Sequence, residues 1–354
     1  MDLGKISAWL EGNGHPRFRL QQITRAVYKQ GAAAFSEIIS LPEQLRTDLG
    51  GNFRVLALEP ELVLESRGGG AVKASFRLKD KQPVESVLIN MFPGKWSVCV
   101  STQAGCPVQC SFCATGRRGL KRNLSPDEIV SQYLFWAGYI RTNRPGEKIS
   151  GAVYMGMGEP FLNYDSVADS LRTMTDPDLI GLGDRHISVS TIGHVPGIRR
   201  FARDFPQVNL AVSLHSVDDA LRSRLVPFND KYPLSQIAKA LKDYIFTTKR
   251  KVFIEYVMLD GVNSSPTAAR RLSEWLKEVE APKYFTVNLI PYNSTGQEFK
   301  APPRERIEGF CDLLTSLNIS ATIRKSLGSD IAGACGQLAG SRKAAPEGRA
   351  GRGS

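Results

Sequence analysis

The sequence contains no long hydrophobic run and few histidines. No stretch approaches the roughly 18 apolar residues that a membrane-spanning helix needs. Its first residues, MDLGKISAWLEGNGHP, lack the basic head and apolar stretch of a secretory signal. Three of the four histidines, His15, His186 and His194, stand at no metal-ligand spacing. We therefore expect a cytoplasmic protein, and these three histidines receive no role.

Cysteine is also scarce. The chain has six cysteines in 354 residues: Cys99, Cys106, Cys110, Cys113, Cys311 and Cys335. In a cytosolic chain, a clustered set is typical of metal binding or catalysis rather than of a disulfide framework. Cys311 shares a predicted helical face with Ile307 and Leu314, which indicates core packing.

Acidic residues are outnumbered, 35 against 46 lysines and arginines, so the net charge is +11 and the isoelectric point about 9.4. The tail SRKAAPEGRAGRGS (residues 341–354), which we expect to be disordered, supplies three of these charges, and the folded part keeps about +8. Such an excess favours a polyanionic partner, most simply nucleic acid. The alternative is a basic protein without such a partner.

The chain divides by pattern into three parts. Residues 1–92 form a small N-terminal module, helical to about residue 50 and strand-like over 54–91, and residues 93–340 form the main domain before the tail. In the main domain, short β-rich runs precede helix-length segments at residues 97–101, 150–155, 186–191, 208–214, 252–258 and 285–290, and a seventh run covers 320–327. Six strand–helix units predict parallel strands in a partial or full β/α barrel, with the chemistry at the C-terminal ends of the strands.

Three cysteines follow the first of these strands in CPVQCSFCATG (residues 106–116). A structural zinc site is one interpretation, but zinc is normally four-coordinate, and no second cysteine pair or histidine completes the set. An iron–sulfur cluster held by three thiolates leaves one iron unligated by protein. We favour the cluster, whose open iron can bind a substrate or cofactor.

The spacing and the aromatic residue before the third cysteine match the signature of radical S-adenosylmethionine (SAM) enzymes. Beyond it, MGMGEPFLN, SVSTIG, SLHS, VNLIPYN and DIAGACGQLAG resemble the RlmN/Cfr family of RNA methyltransferases, and the likeness extends to residue 340. The resemblance implies a partial (βα)6 radical-SAM barrel with a small N-terminal α+β module. It also implies a 4Fe–4S cluster on Cys106, Cys110 and Cys113, with SAM on the open iron.

The resemblance assigns further site residues. Implied cofactor contacts are Gly158, Glu159, Ser190, Ser213, Leu214, His215 and Asn293. From the residues alone, each of these is an ordinary turn or capping residue at the end of a strand. Cys335 corresponds to the methyl-carrying cysteine and Cys99 to its disulfide-forming partner, although a lone cysteine is usually structural. Glu85 corresponds to an active-site acid or base, whereas its pattern equally suits a solvent-facing strand position.

The implied reaction consumes two SAM molecules per turnover. The first methylates Cys335, and the second yields a deoxyadenosyl radical that takes hydrogen from this methyl group. The resulting carbon radical adds to adenine, and Cys99 then attacks Cys335, which releases the product and leaves a disulfide. An external electron donor and a disulfide reductant are therefore expected partners.

The resemblance leaves three functions open. RlmN-type members modify carbon 2 of an adenosine in 23S ribosomal RNA and of the adenosine beside the tRNA anticodon, and Pro160 in GMGEP favours this type. Cfr-type members modify carbon 8 of the same ribosomal adenosine. A non-catalytic RNA-binding protein with a structural metal is the alternative from another class. Basic groups consistent with RNA binding occur at Arg17, Arg19, Arg25, Lys29, Arg117, Arg118, Lys121, Arg122, Lys249, Arg250 and Lys251. We expect a monomer.

Overall fold

The structure, a computed structural model, describes residues 1–339. The predicted tail, residues 341–354, lies outside the described residues, as does residue 340. Among the described helices, none is long and apolar enough to cross a membrane.

The described chain contains twelve strands and ten α-helices. The strands are β1 (Glu59–Glu65), β2 (Ala71–Arg77), β3 (Pro83–Phe92), β4 (Lys95–Cys99), β5 (Gln103–Ala104), β6 (Arg122–Asn123), β7 (Lys148–Tyr154), β8 (Ile187–Thr191), β9 (Asn209–Ser213), β10 (Val252–Met258), β11 (Phe285–Pro291) and β12 (Ser320–Ile323). The α-helices are α1 (Leu3–Gly12), α2 (Phe18–Thr24), α3 (Glu43–Asn52), α4 (Pro126–Asn143), α5 (Tyr164–Thr175), α6 (Val195–Asp204), α7 (Asp219–Leu225), α8 (Leu234–Thr248), α9 (Pro266–Val279) and α10 (Arg304–Ser316).

Ten of the strands form one sheet in the order β1-β2-β3-β4-β7-β8-β9-β10-β11-β12. In this sheet β1 to β4 pair antiparallel, and every later pair in that order, from β4-β7 to β11-β12, is parallel. Strands β5 and β6 form a separate antiparallel pair. Within residues 1–339, β1 and β12 remain the two edges of this sheet, so the parallel part is a partial barrel. The predicted α/β class and partial (βα)6 barrel are confirmed.

The predicted boundary at residues 92/93 falls in the short connection between β3 and β4, which pair with each other. The N-terminal module and the parallel strands therefore share one sheet and one apolar core, which includes Phe76 of β2, Trp96 of β4 and Trp136 of α4. The three-part division of the chain stays a prediction.

Local sequence signals account for the boundaries of several elements. Ser125 caps α4, Pro126 occupies its first turn, and Glu128 completes a capping box with both hydrogen bonds formed. Elsewhere a helical pattern was misleading: residues 35–49 form a 3-10 turn at Phe35–Glu37 and then α3 from Glu43. Pro42 explains the break, because proline lacks the amide hydrogen and disfavours helical geometry in the residue before it.

Cys311 lies half-buried on α10 and packs against the main core near Ile307 and Leu314. This placement agrees with the packing role expected from the helical pattern.

Candidate active site

A cavity of about 170 Å³ opens at the C-terminal ends of the parallel strands. Ten of the thirteen predicted site residues line it: Cys106, Cys110, Cys113, Gly158, Glu159, Ser190, Ser213, His215, Asn293 and Cys335. Glu85, Cys99 and Leu214 are not in its lining. The parallel topology explains the convergence, since the loops that follow neighbouring parallel strands meet at one edge of the sheet.

The loop that carries the three clustered cysteines is fixed by backbone hydrogen bonds on several sides. Cys106 N donates to Gly119 O (3.2 Å), Cys113 N donates to Cys110 O (3.1 Å), and Ser111 N donates to Leu225 O (3.0 Å) at the end of α7. The chain enters this loop through Gly105 at φ +82°, where a β-carbon would collide with Gly119 O. The three thiols therefore occupy a defined wall of the cavity.

The donor set suits a polynuclear cluster better than a single ion. Cys106, Cys110 and Cys113 are free thiols in one cavity wall, all partly accessible. Among residues 1–339, no three His, Cys, Asp or Glu groups converge as the ligands of one ion must, with thiolate sulfurs about 2.3 Å from a zinc. In a 4Fe–4S cluster each thiolate binds a different iron, so such convergence is not required. The residues fit the cluster and leave one iron for another ligand.

Burial raises the pKa of two thiols in this wall, that of Cys106 to about 12 and that of Cys110 well above its usual range. Neighbouring cysteines in the same wall raise both further, because thiolates repel one another. Such thiols stay protonated until a metal ion replaces the proton.

Gly158 and Glu159 form the cavity wall after β7. Gly158 has φ +105°, and a β-carbon on it would lie 2.6 Å from the Gln103 side chain. The Glu159 carboxylate accepts hydrogen bonds from Phe161 N (3.1 Å), Thr191 Oγ1 (2.7 Å) and Ile192 N (2.8 Å). Burial raises the pKa of Glu159 to about 7, although these three donors favour its charged form. Glu159 thus joins the loop after β7 to the end of β8.

The ends of β8 and β9 present hydroxyl groups and a neutral imidazole. Ser190 Oγ lies 3.2 Å from Ser213 Oγ. His215 adopts φ +62°, and its Nδ1 accepts a hydrogen bond from Val257 N (3.1 Å), which places the ring proton on Nε2. Burial, with a smaller contribution from Arg222, lowers the pKa of His215 to about 3. His215 is therefore a neutral donor, and it contacts the Phe112 ring edge to face at 4.8 Å.

Residues 329–339, here called the Cys335 segment, close one side of the cavity. Ala114 N donates to Gly336 O (2.8 Å), and Asn293 Nδ2 donates to Cys335 O (3.2 Å). Cys335 is exposed, and it lines the cavity. Desolvation by the surrounding protein nevertheless raises the pKa of its thiol. The segment therefore places the Cys335 thiol in the same cavity as Cys106, Cys110 and Cys113.

Comparison with known proteins agrees with this geometry. Residues 100–270 match the Radical SAM superfamily. The chain is 42% identical over 347 residues to a probable dual-specificity RNA methyltransferase RlmN from Syntrophomonas wolfei, covering 96% of this chain and 95% of the relative. It is 40% identical over 341 residues to a ribosomal RNA large subunit methyltransferase Cfr from Staphylococcus aureus, covering 95% and 96%.

A crystal structure of a radical SAM methyltransferase from Sphaerobacter thermophilus superposes with a TM-score of 0.89 at 41% identity, covering 96% of this chain and 98% of the other. The chain belongs to the RlmN/Cfr family. A 4Fe–4S cluster and SAM are the cofactors of this radical SAM family.

Three residues expected from the RlmN/Cfr pattern lie outside the cavity lining. Leu214 is fully buried in the main core, its amide donates to Glu255 O (3.0 Å), and its carbonyl accepts from Arg222 Nε (3.0 Å). Neither its side chain nor its hydrogen-bonding backbone groups are free for a ligand, so this geometry does not support the expected cofactor contact. The reason is strand alternation, which turns the side chain after Ser213 toward the core.

Cys99 and Glu85 also lie behind the cavity wall. Cys99 ends β4 and is buried in a small apolar cluster with Ile331 and Leu338 from the Cys335 segment. Burial, with a smaller contribution from Cys335, raises the pKa of Cys99 to about 12. Glu85 is buried in β3, so the solvent-facing interpretation of this position is wrong, because β3 is covered on both faces.

The sequence patterns missed two buried basic side chains outside the cavity lining. Lys73 of β2 is buried against Glu85, and only an isolated lysine in the strand pattern AVKASFRL could have indicated it. Arg222 of α7 is buried and donates to the carbonyls of Ile192, Ser213 and Leu214 behind the cavity. Nothing local in the sequence distinguishes Arg222 from a surface arginine.

Proposed function

We propose that this protein is a radical SAM methyltransferase that modifies carbon 2 of an adenosine in 23S ribosomal RNA, and that the adenosine beside the tRNA anticodon is a second substrate. The observation that carries the proposal is the position of Cys335, which lines the same cavity as Cys106, Cys110 and Cys113. Membership of the RlmN/Cfr family supports methyl transfer, and the relatives named as dual-specificity RNA methyltransferases support RNA as the substrate.

In this proposal Cys106, Cys110 and Cys113 hold the cluster. When bound, the cluster and SAM supply the methyl group and the radical chemistry that an electron-poor ring carbon requires. The side chains of Ser190, Ser213 and Asn293 and the Nε2–H of His215 offer polar contacts to a ligand in the cavity. Gly158 lines the cavity in the loop after β7, where its φ of +105° and the Gln103 side chain leave no room for a β-carbon.

The two remaining thiols have separate roles. Cys335 carries the methyl carbon that becomes joined to adenine, since it faces the cavity. The Cys99 thiolate then attacks the Cys335 sulfur and forms a disulfide, which an external reductant reopens. The carbon leaves that sulfur with the electron pair of the broken bond and takes up a proton to become the methyl group of the product. Cys99 packs in an apolar cluster with Ile331 and Leu338 of the Cys335 segment, and the disulfide step requires this segment to move so that the two sulfurs meet.

Mass spectrometry of ribosomal and transfer RNA digests tests the modified position. We expect 2-methyladenosine in both RNAs from cells that carry the gene, and its complete loss after deletion. Complementation with the Cys335→Ala variant should not restore it. The Cfr-named relatives, at 40% identity, keep carbon 8 as the alternative, and 8-methyladenosine in its place would decide for that alternative. An unchanged methylation profile would favour a non-catalytic RNA-binding protein.

The surface near the cluster loop carries exposed basic groups that suit RNA phosphates. Arg117 and Lys121 are exposed beside the cavity. Arg122, predicted to belong to this patch, is instead held by Asp80 (2.6 Å) and Glu128 (2.8 Å). Its charge is therefore largely neutralised, and we exclude it from the proposed RNA-binding surface.

RNA affinity is expected to fall steeply with salt, because bound phosphates release counterions. Each phosphate contact contributes about 0.7–0.9 to the slope of log affinity against log salt, so Lys121→Ala should lower the slope by about that amount. Lys277→Ala, at an exposed position on α9, is the matched control and should leave the slope unchanged. Equal slopes for wild type and Lys121→Ala in filter-binding titrations would remove Lys121 from the interface.

A further inference from the structure

A buried ion pair lies behind the cavity, between two strands of the N-terminal module. Lys73 Nζ on β2 is 3.1 Å from Glu85 Oε1 on β3, and their side chains are only 4% and 1% exposed. Burying two charges costs desolvation energy that their attraction often fails to recover, and apolar residues would serve the sheet as well. Additional hydrogen bonds to these two charged groups are therefore needed to offset the cost of burying them.

Both charged groups contact the Cys335 segment. Lys73 Nζ donates to Ala332 O (3.3 Å), and Ala339 N donates to Glu85 Oε2 (2.8 Å). Ala332 and Ala339 lie on either side of Cys335 in the sequence. The pair thus fixes both ends of the short stretch that carries the thiol.

The contact at Ala332 supports an unfavourable backbone conformation. Ala332 has φ +50°, in the left-handed region that alanine rarely adopts. Such a residue persists only where surrounding contacts hold it, and the Lys73 hydrogen bond acts on its own carbonyl. Loss of that hydrogen bond would therefore destabilise the backbone conformation of the segment before Cys335.

We propose that Lys73 and Glu85 are positioning residues that hold the Cys335 segment over the cavity. Charge-assisted hydrogen bonds are stronger than neutral ones, so these two contacts order the segment more firmly than neutral partners would. Glu85 Oε1 also accepts a hydrogen bond from Ser75 Oγ (3.3 Å), so both carboxylate oxygens are engaged.

Hydrogen–deuterium exchange on the full-length, cluster-loaded protein tests this positioning. The main variant is the double replacement Lys73→Met and Glu85→Gln, which removes both buried charges and preserves side-chain volume. We expect exchange in the peptide covering residues 329–339 to rise about tenfold, the factor that corresponds to about 1.4 kcal/mol of lost stabilisation. Peptides covering β8 and β9 should not change. Lys79→Met, at an exposed position just after β2, is the matched control and should leave the segment as in wild type.

Glu85→Gln alone gives a second, milder test. Glutamine still offers an acceptor to Ala339 N, so its increase in segment exchange should be smaller than that of the double variant. Unchanged exchange in the segment of the double variant would overturn the proposal. A uniform rise through β2 and β3 would also overturn it, because the pair would then support the sheet as a whole. The proposal depends on the proposed function only for the role of Cys335, and the exchange comparison remains readable whichever adenine carbon is methylated.

Discussion

Replacing Cys106, Cys110 or Cys113 singly with alanine is expected to abolish cluster binding and all cleavage of SAM. With three protein ligands, one iron is already unligated by the chain, so two thiolates would leave half of the irons unheld. All three thiols stand in one wall of the cavity, held by backbone hydrogen bonds to Gly119 and Leu225. The loop therefore remains ordered in each variant, and the loss should be confined to the metal.

Iron and sulfide assays on anaerobically purified protein measure this loss. We expect a change from about four irons per chain to nearly none, together with loss of deoxyadenosine formation from SAM. Cys311→Ala is the matched control, since Cys311 lies on α10 outside the cavity, and it should keep the full iron content. Full iron content with SAM cleavage in any of the three variants would refute the ligand assignment. Zinc in place of iron in the wild type would instead support the structural-metal alternative.

The elements of the barrel were predictable because their signals are local. The run 252–258 coincides with β10 (Val252–Met258), and Ser125, Pro126 and Glu128 form at the start of α4 the capping box that their order in the sequence indicates. The cysteine spacing likewise placed Cys106, Cys110 and Cys113 together. These features depend on neighbours in sequence, which periodicity and capping rules describe well.

The remaining site depends on contacts between distant parts of the chain. No pattern around Cys335 indicates that its carbonyl binds Asn293 or that its segment is tied to Lys73 and Glu85. The sequence left the burial of Glu85 open because alternation of polar and apolar residues identifies a strand with one solvent-exposed face. Strands β2 and β3 are instead buried on both faces over most of their length. Such placements become visible only when the whole sheet is assembled.

Replacing Cys99 with alanine is expected to trap the protein covalently on its RNA, whereas Cys335→Ala should bind the cluster and form no RNA adduct. If Cys335 carries the methyl carbon, removing it eliminates the only attachment point for adenine. If Cys99 only resolves the adduct, its loss leaves methylation of Cys335 and attack on RNA intact. The other thiols in the cavity wall are the three proposed cluster ligands, so none is free to attack the Cys335 sulfur.

A denaturing gel of each variant expressed in cells, with and without nuclease, separates these outcomes. Cys99→Ala should show a prominent shifted band that nuclease removes, while wild type, Cys335→Ala, Cys99→Ala/Cys335→Ala and the control Cys311→Ala should show none. Because burial raises the pKa of Cys99 to about 12, resolution in the wild type requires the thiol to lose its proton as the segment moves, and Arg324 is the cation that favours this loss. Absence of trapped RNA in both single variants, or methylated RNA from Cys335→Ala, would mean that the two thiols are structural, and the methyl-cysteine route would be wrong for this protein.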